Sequence, residues 1–292
     1  MKYLKSKVVA EIGCNHKGDM EIAREMIKIA AIFCKADYVK FQKRNPSELL
    51  SEEQYSNPHP NPVNSYGRTY GEHREYLELS LEQHRELKAY CGQFGIGYST
   101  SVWDITSAKE IASLSPDYIK IPSASNTHEK MLIYLCDNYD GDIHLSLGMT
   151  LNNERDQIIS LFKEKNRLAS LVLYHTTSAY PVKFEDLCLL EIKRLIEAFG
   201  SMVKAIGFSG HHLGIFADVI AYSLGATWVE RHFTLDRTWK GTDHAASLEP
   251  DGLRRVKRDL MNARKTLAFK NAEMLDVEIP GREKLKWRKS AA

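Results

Sequence analysis

Two short runs hold the residues best suited to chemistry: GFSGHHLG at 207–214 and VERHFTL at 229–235 each follow an apolar stretch with histidine. A lone histidine is ordinarily a hydrogen-bonded core residue. Two that close neighbouring strands can instead meet at one point, and two imidazoles with open positions suit a divalent ion that also takes water or substrate. His232 is one such residue, and either His211 or His212 is the other. Glu11 and Asp243 are candidate carboxylate partners of the ion's water or of the imidazoles. A second set is basic. Lys40 in DYVKFQ and Lys120 in DYIKIPS fall inside apolar strands, where a buried ammonium must be compensated. Facing one cavity among hydroxyls, they would form a pocket for a phosphate and a carboxylate.

These residues need a scaffold that brings distant segments to one mouth. Short β-branched runs at 8–13, 37–42, 96–101, 118–123, 143–148, 171–176, 205–210 and 227–232 alternate with stretches of helical period. Asp19 can cap a helix with Ile22, Met26, Ile29 and Phe33 on one stripe, and Leu253, Val256, Leu260, Ala263 and Leu267 form the stripe of the last one. Eight strand-helix pairs predict a (β/α)8 barrel over residues 1–270. A doubly wound sheet is the alternative, but no GxGxxG turn follows the first strand. In a barrel the C-terminal strand ends face the catalytic mouth. Those ends supply Glu11, Asn15 and His16; Lys40 and Gln42; Ser99 and Thr100; Lys120 and Ser123; and Ser146. The later strands add His175, Ser178 and Tyr180; Ser209, His211 and His212; and Glu230 and His232. Residues 43–80, rich in proline and tyrosine and without sustained period, read as a long loop serving as a lid or a partner contact. Residues 271–292 read as a charged arm or linker.

Composition narrows the function. The 292 residues carry 40 Lys+Arg against 38 Asp+Glu, a net charge of +2, so no electrostatic footprint for nucleic acid or an anionic membrane stands out. The N-terminus, MKYLKSKVVAEIG, lacks the apolar core of a signal peptide, and no stretch is long and apolar enough to span a bilayer. A cytoplasmic location is expected. Five scattered cysteines without CxxC spacing indicate neither a disulfide framework nor a thiolate metal site.

The ordered set AEIGCNHKGD, DYVKFQ, YIKIPSAS, LSLGM, HTTSAYP, FSGHHLG, VERHFTLD and GTDHAASLEP resembles the sialic acid synthase family over about residues 7–290. The resemblance implies condensation of phosphoenolpyruvate with an aldose to a 2-keto-3-deoxy sugar acid. It implies that Lys40, Thr100, Lys120, Ser123, Ser146 and Ser209 bind the phosphate or carboxylate of phosphoenolpyruvate. It further implies that His211, favoured over His212, and His232 hold Mn2+ or Mg2+, and that Glu11 faces the metal-bound water. Gln42, Tyr180 and Asp243 fall at sugar-side or supporting positions, and Ser178 at one that is often Asn. Gly210, Leu147 and Ser125 depart from the family's Asp, Thr and Glu, the last bearing on sugar specificity. The sequence ends near the point where many members begin an antifreeze-like domain whose arginine enters the partner subunit's sugar pocket, so a barrel without that domain is expected. Family barrels tend to dimerise, which implies a homo-oligomer. One alternative is a Kdo-type synthase using a phosphorylated aldose, with Lys43, Arg44 or Arg74 as the additional basic groups. Another, from a different class, is a non-catalytic barrel that binds a sugar or depends on a partner.

Overall fold

The computed structural model describes residues 4–287. Eight strands are formed: β1 (Lys7–Gly13), β2 (Tyr38–Lys43), β3 (Gly97–Val102), β4 (Tyr118–Ile121), β5 (Asp142–Ser146), β6 (Leu171–His175), β7 (Ala205–Gly210) and β8 (Trp228–His232). Each pairs in parallel with the next, and β8 returns to β1 to close the barrel. The fold is the (β/α)8 barrel expected from the alternation. Three of the expected strands extend one to two residues too far at their C-terminal ends, over Pro122 and Ser123, Leu147 and Gly148, and Thr176, where the chain turns out of the sheet.

Local signals account for the helices. The carboxylate of Asp19 accepts from the amides of Glu21 and Ile22 at 2.8 and 3.3 Å and starts the helix Met20–Ile32. Its buried face is Ala23, Met26, Ile27 and Ala30, one residue round from the expected stripe, which leaves Phe33 47% exposed. Ser80 and Gln83 form a capping box at the start of Leu81–Gln93. Asp104 caps Ile105–Ser113 by accepting from the amide of Ser107 at 2.7 Å. The last barrel helix, Pro250–Thr266, buries Leu253, Val256 and Leu260 as expected.

Two apolar clusters fill the space between strands and helices, one on each side of the barrel. The barrel's interior differs. Its lower part is packed with rings from Tyr38, Tyr118, His144, Tyr174 and Trp228, with His144 stacked on Tyr118 at 3.7 Å between centroids. Polar residues occupy the layer above, and strand register sets them level. Glu11 is opposite Lys40 on one side and His232 on the other, Ser101 is opposite Lys120, and Ser209 is opposite Glu230.

Residues 43–80 contain the short helices Pro46–Leu49, Glu52–Ser56 and Tyr70–Leu77. Pieces of four to eight residues are too short for hydrophobic period to reveal them. Of the arm, Ile279–Leu285 is a short helix with exposed Val277, Leu285 and Trp287 beside it, while 288–292 lie outside the described residues. Among the described residues no helix is long and apolar enough to cross a membrane.

Candidate active site

A cavity of about 210 Å³ opens at the C-terminal ends of the strands. Period-2 alternation along each strand turns Glu11, Lys40, Gln42, Lys120, Ser209, Glu230 and His232 into it. The turns that follow add Ser123, Ser178, Tyr180 and His211, and Ser146 comes from the end of β5. Of the residues to which the resemblance gives a role, all but Thr100 and Asp243 line this cavity; of the other strand-end residues, Asn15, His16, Ser99, His175 and His212 do not.

Thr100 is a correction. It is fully buried on the outer face of β3, donating to the Tyr98 hydroxyl at 2.8 Å, which in turn meets His84 Nδ1 at 2.8 Å. Ser101 takes the inward position and accepts from Lys40 Nζ at 2.6 Å. Because Ser99 faces inward, alternation requires Ser101, and not Thr100, to do the same. His175 also turns outward, its Nε2 lying 2.7 Å from the Leu187 carbonyl.

At the cavity's floor two ammoniums meet two carboxylates. Lys120 Nζ lies 2.6 Å from Glu230 Oε1 and 4.1 Å from the centroid of the Tyr174 ring. Lys40 pairs with Glu11 and lies 3.8 Å from Glu230. Ser209 donates to Glu230 at 3.1 Å, and Gln42 Nε2 to Glu11 Oε1 at 2.8 Å. The compensation that ammoniums in apolar strands require comes from these two carboxylates. Glu230 was visible in VERHF, two residues before His232 and hence on the same face, yet only its structural setting reveals the central role. Burial lowers the pKa of Lys120 to about 8, with Glu230 restoring part of the loss. Glu230 itself is held well below the usual carboxylate range, since the two ammoniums outweigh its burial.

The hydroxyl wall depends on one glycine. A Cβ at Gly148 would come within 2.4 Å of Ser178 Oγ and 2.8 Å of Ser123 Oγ, and the Gly148 amide donates to Ser123 Oγ at 3.0 Å. Backbone and both hydroxyls thus converge where a side chain would not fit.

The imidazoles form the opposite wall. His211 and His232 have ring centroids 5.5 Å apart, with Tyr180 against His211 at 4.1 Å. The Nδ1 of His211 lies 2.9 Å from the Thr177 carbonyl, so it carries the proton and leaves a lone pair on Nε2. Burial, aided by the charge of His232, lowers the pKa of His211 to about 3, so the ring is neutral at pH 7. His212 points the other way, fully buried, with its Nε2 3.0 Å from Arg231. This places His211, and not its neighbour, at the cavity. His232 Nδ1 is buried without a hydrogen-bond partner and lies 3.8 Å from Asp243 Oδ2. Asp243 stays below its usual pKa because the charge of His232 and the Thr242 hydroxyl outweigh its burial. Among the described residues no three His, Cys, Asp or Glu side chains converge as a closed metal cage. A neutral imidazole with a free lone pair, a second imidazole with an orphaned buried nitrogen and a nearby carboxylate fit an open divalent site.

A family model described as the NeuB family matches residues 26–272. The chain belongs to the NeuB family. This NeuB chain is 34% identical to N-acetylneuraminate-9-phosphate synthase of Homo sapiens over 278 residues, 95% of the chain and 76% of the relative. It is 31% identical to N,N'-diacetyllegionaminic acid synthase of Campylobacter jejuni over 264 residues, 90% of this chain and 78% of that one. Among solved structures, N-acetylneuraminic acid synthetase of Leptospira borgpetersenii in complex with citrate superposes with a TM-score of 0.80 at 26% identity, covering 98% of this chain and 94% of the other. The NeuB chain is an enzyme, a sugar-acid synthase.

Proposed function

We propose that the protein condenses phosphoenolpyruvate with an aldose, releasing phosphate and a 2-keto-3-deoxy sugar acid, with Mn2+ or Mg2+ at His211 and His232. One observation carries this reading: a single cavity sets a floor of paired lysines and hydroxyls against a wall of two imidazoles. Lys40, Lys120, Ser101, Ser123, Ser146 and Ser209 receive the phosphate and carboxylate. The Gly148 turn, with Ser178, keeps that wall flat. An ion held by the imidazoles would polarise the aldehyde oxygen of the open-chain acceptor.

Carbon–carbon bond formation joins C3 of phosphoenolpyruvate to the aldehyde carbon, leaves cationic character at C2 and turns the aldehyde oxygen into an alkoxide that gains the proton released by the adding water. Glu11, hydrogen-bonded to Gln42, is placed to hold the water that adds there and to take its proton. Loss of phosphate from the tetrahedral carbon by C–O cleavage then restores the keto group, with Lys40 and Lys120 stabilising the departing anion. Glu230 keeps both ammoniums aimed at the cavity. Charge balance also bears on the ion. Lys40, Lys120, Glu11 and Glu230 sum to zero, so an incoming phosphate of about −2 and a carboxylate have no net positive charge at the floor to meet. A divalent cation at the opposite wall supplies one.

A phosphorylated acceptor is the second reading, favoured by two observations. The human relative is named for a 9-phosphate product. Arg74, at the edge of the long excursion, hydrogen-bonds the Tyr70 hydroxyl and forms no ion pair among the described residues, whereas Arg44 is buried against Trp103 and Glu78 and Lys43 faces Glu110. The test is phosphate release from phosphoenolpyruvate with Mn2+ across N-acetylmannosamine, mannose, 2,4-diacetamido sugars, 6-phosphorylated hexoses and arabinose 5-phosphate. Turnover with at least one is expected. Silence across the panel, with the metal bound, refutes the synthase reading.

A further inference from the structure

Asp243 reaches His232 from the segment that follows β8, so whatever fixes that segment fixes the carboxylate. One end is anchored within the barrel: Ser247 Oγ donates to the Asp243 carbonyl at 2.6 Å, and Asn15 Nδ2 donates to Ser247 Oγ at 2.9 Å. The other end rests on the long excursion between β2 and β3. There the Tyr66 hydroxyl donates to the Lys240 carbonyl, the Gly241 amide donates to Asn64 Oδ1 at 3.3 Å, and Lys240 Nζ lies 4.9 Å from the Tyr66 ring centroid.

Tyr66 is itself held in place. Its ring stacks on Tyr76 at 5.0 Å and 9°, and its amide donates to His73 Nδ1 at 3.1 Å. Gly241 sits at φ +146°, with His244 so close that a Cβ would meet its ring at 2.6 Å. A glycine in that conformation bends the chain sharply and resists little by itself, since it has the widest conformational freedom to lose. The tie to Asn64 and Tyr66 is what selects one conformation. Directly after Gly241, the Thr242 hydroxyl donates to Asp243 Oδ1 at 3.0 Å. None of residues 44–80 lines the cavity; the excursion meets lining residues through Arg44, which contacts Gln42 and Trp103, and reaches Asp243 through residues 240–243.

We propose that Tyr66, with Asn64, is a positioning residue for Asp243, holding Lys240 and Gly241 so that the carboxylate stays beside the His232 imidazole. The inference rests on the reading of His232 as a metal ligand. The test measures Mn2+ affinity of the full chain by electron paramagnetic resonance of the free ion, together with Tm and the KM of the acceptor. Tyr66→Phe retains the stacked ring and loses only the hydroxyl. It is expected to weaken Mn2+ binding about 10-fold, the low end for outer partners of metal ligands, and to raise the acceptor KM more than it lowers kcat. Asn64→Ala is expected to act in the same direction. Asp243→Asn should weaken Mn2+ similarly, and Tyr66→Phe combined with it should be no weaker than Asp243→Asn alone, because both act through one carboxylate. Wild-type Mn2+ affinity in Tyr66→Phe, or full additivity with Asp243→Asn, overturns the inference while leaving the metal site standing. Wild-type affinity in His232→Ala overturns both.

Discussion

Replacing Glu230 with glutamine tests the central claim that the floor of the cavity is a balanced set of charges. The substitution keeps shape and one acceptor oxygen for Lys120 and Ser209 and removes one negative charge 2.6 Å from Lys120 Nζ. Coulomb attraction at that separation, with an effective dielectric of about 20, is about 6 kcal/mol. Water entering the cavity and the remaining carboxylate of Glu11 screen part of this, so a fall of at least about one pKa unit, or about 1.4 kcal/mol, is the expected minimum for Lys120. The direction follows from the charge. Lys120 is needed as the ammonium, its pKa in the intact protein is about 8, and losing Glu230 lowers it further. The assay is the KM for phosphoenolpyruvate against pH from 6 to 9.5. In the wild type KM should climb as pH rises through about 8. In Glu230→Gln the climb should begin near or below neutrality, with near-normal binding recovered at acid pH. An unmoved basic limb, or one displaced to higher pH, would show that Glu230 does not sustain the charge on Lys120.

Three further outcomes are expected. Ser101→Ala removes the hydroxyl that accepts from Lys40 and should raise the KM for phosphoenolpyruvate by about 1 kcal/mol, roughly fivefold, whereas Thr100→Val should leave KM unchanged and lower Tm; steady-state kinetics and a thermal melt on the two variants check this. Gly148→Ala drives a methyl group into Ser178 and Ser123 and should cost about 1–3 kcal/mol of stability with a marked loss of phosphoenolpyruvate affinity, readable by chemical denaturation and ligand titration. Removing divalent ions with a chelator should abolish turnover, restored by Mn2+, and should also weaken phosphoenolpyruvate binding measured by tryptophan fluorescence; retention of turnover would remove the metal from the mechanism.

The barrel was legible because each strand is a short β-branched run and each long helix has its own stripe, so eight pairs could be counted. The site was legible for the same reason: a lysine in DYVKFQ or DYIKIPS is conspicuous. What escaped was relative orientation. Thr100 and Ser101 are both small hydroxyl residues near a strand end, and only consistent alternation from Ser99 separates them. Glu230 looked like one more polar residue until Lys40 and Lys120 were seen to share it, which requires three strands to be placed at once. The excursion at 43–80 carried no usable period because its helices are shorter than two turns or little longer. Its ties to Lys240 and Gly241 join residues about 175 positions apart, a pairing with no local trace.

The ring-packed layer of Tyr118, His144, Tyr174 and Trp228 lies directly beneath Lys120 and Glu230. It fills the barrel below the charged floor, so a ligand reaches Lys40 and Lys120 from the C-terminal ends of the strands, past Tyr180 and His211. Under the proposed reaction the molecule that occupies the floor is covered by the one that occupies the rim, and phosphoenolpyruvate is expected to bind ahead of the aldose.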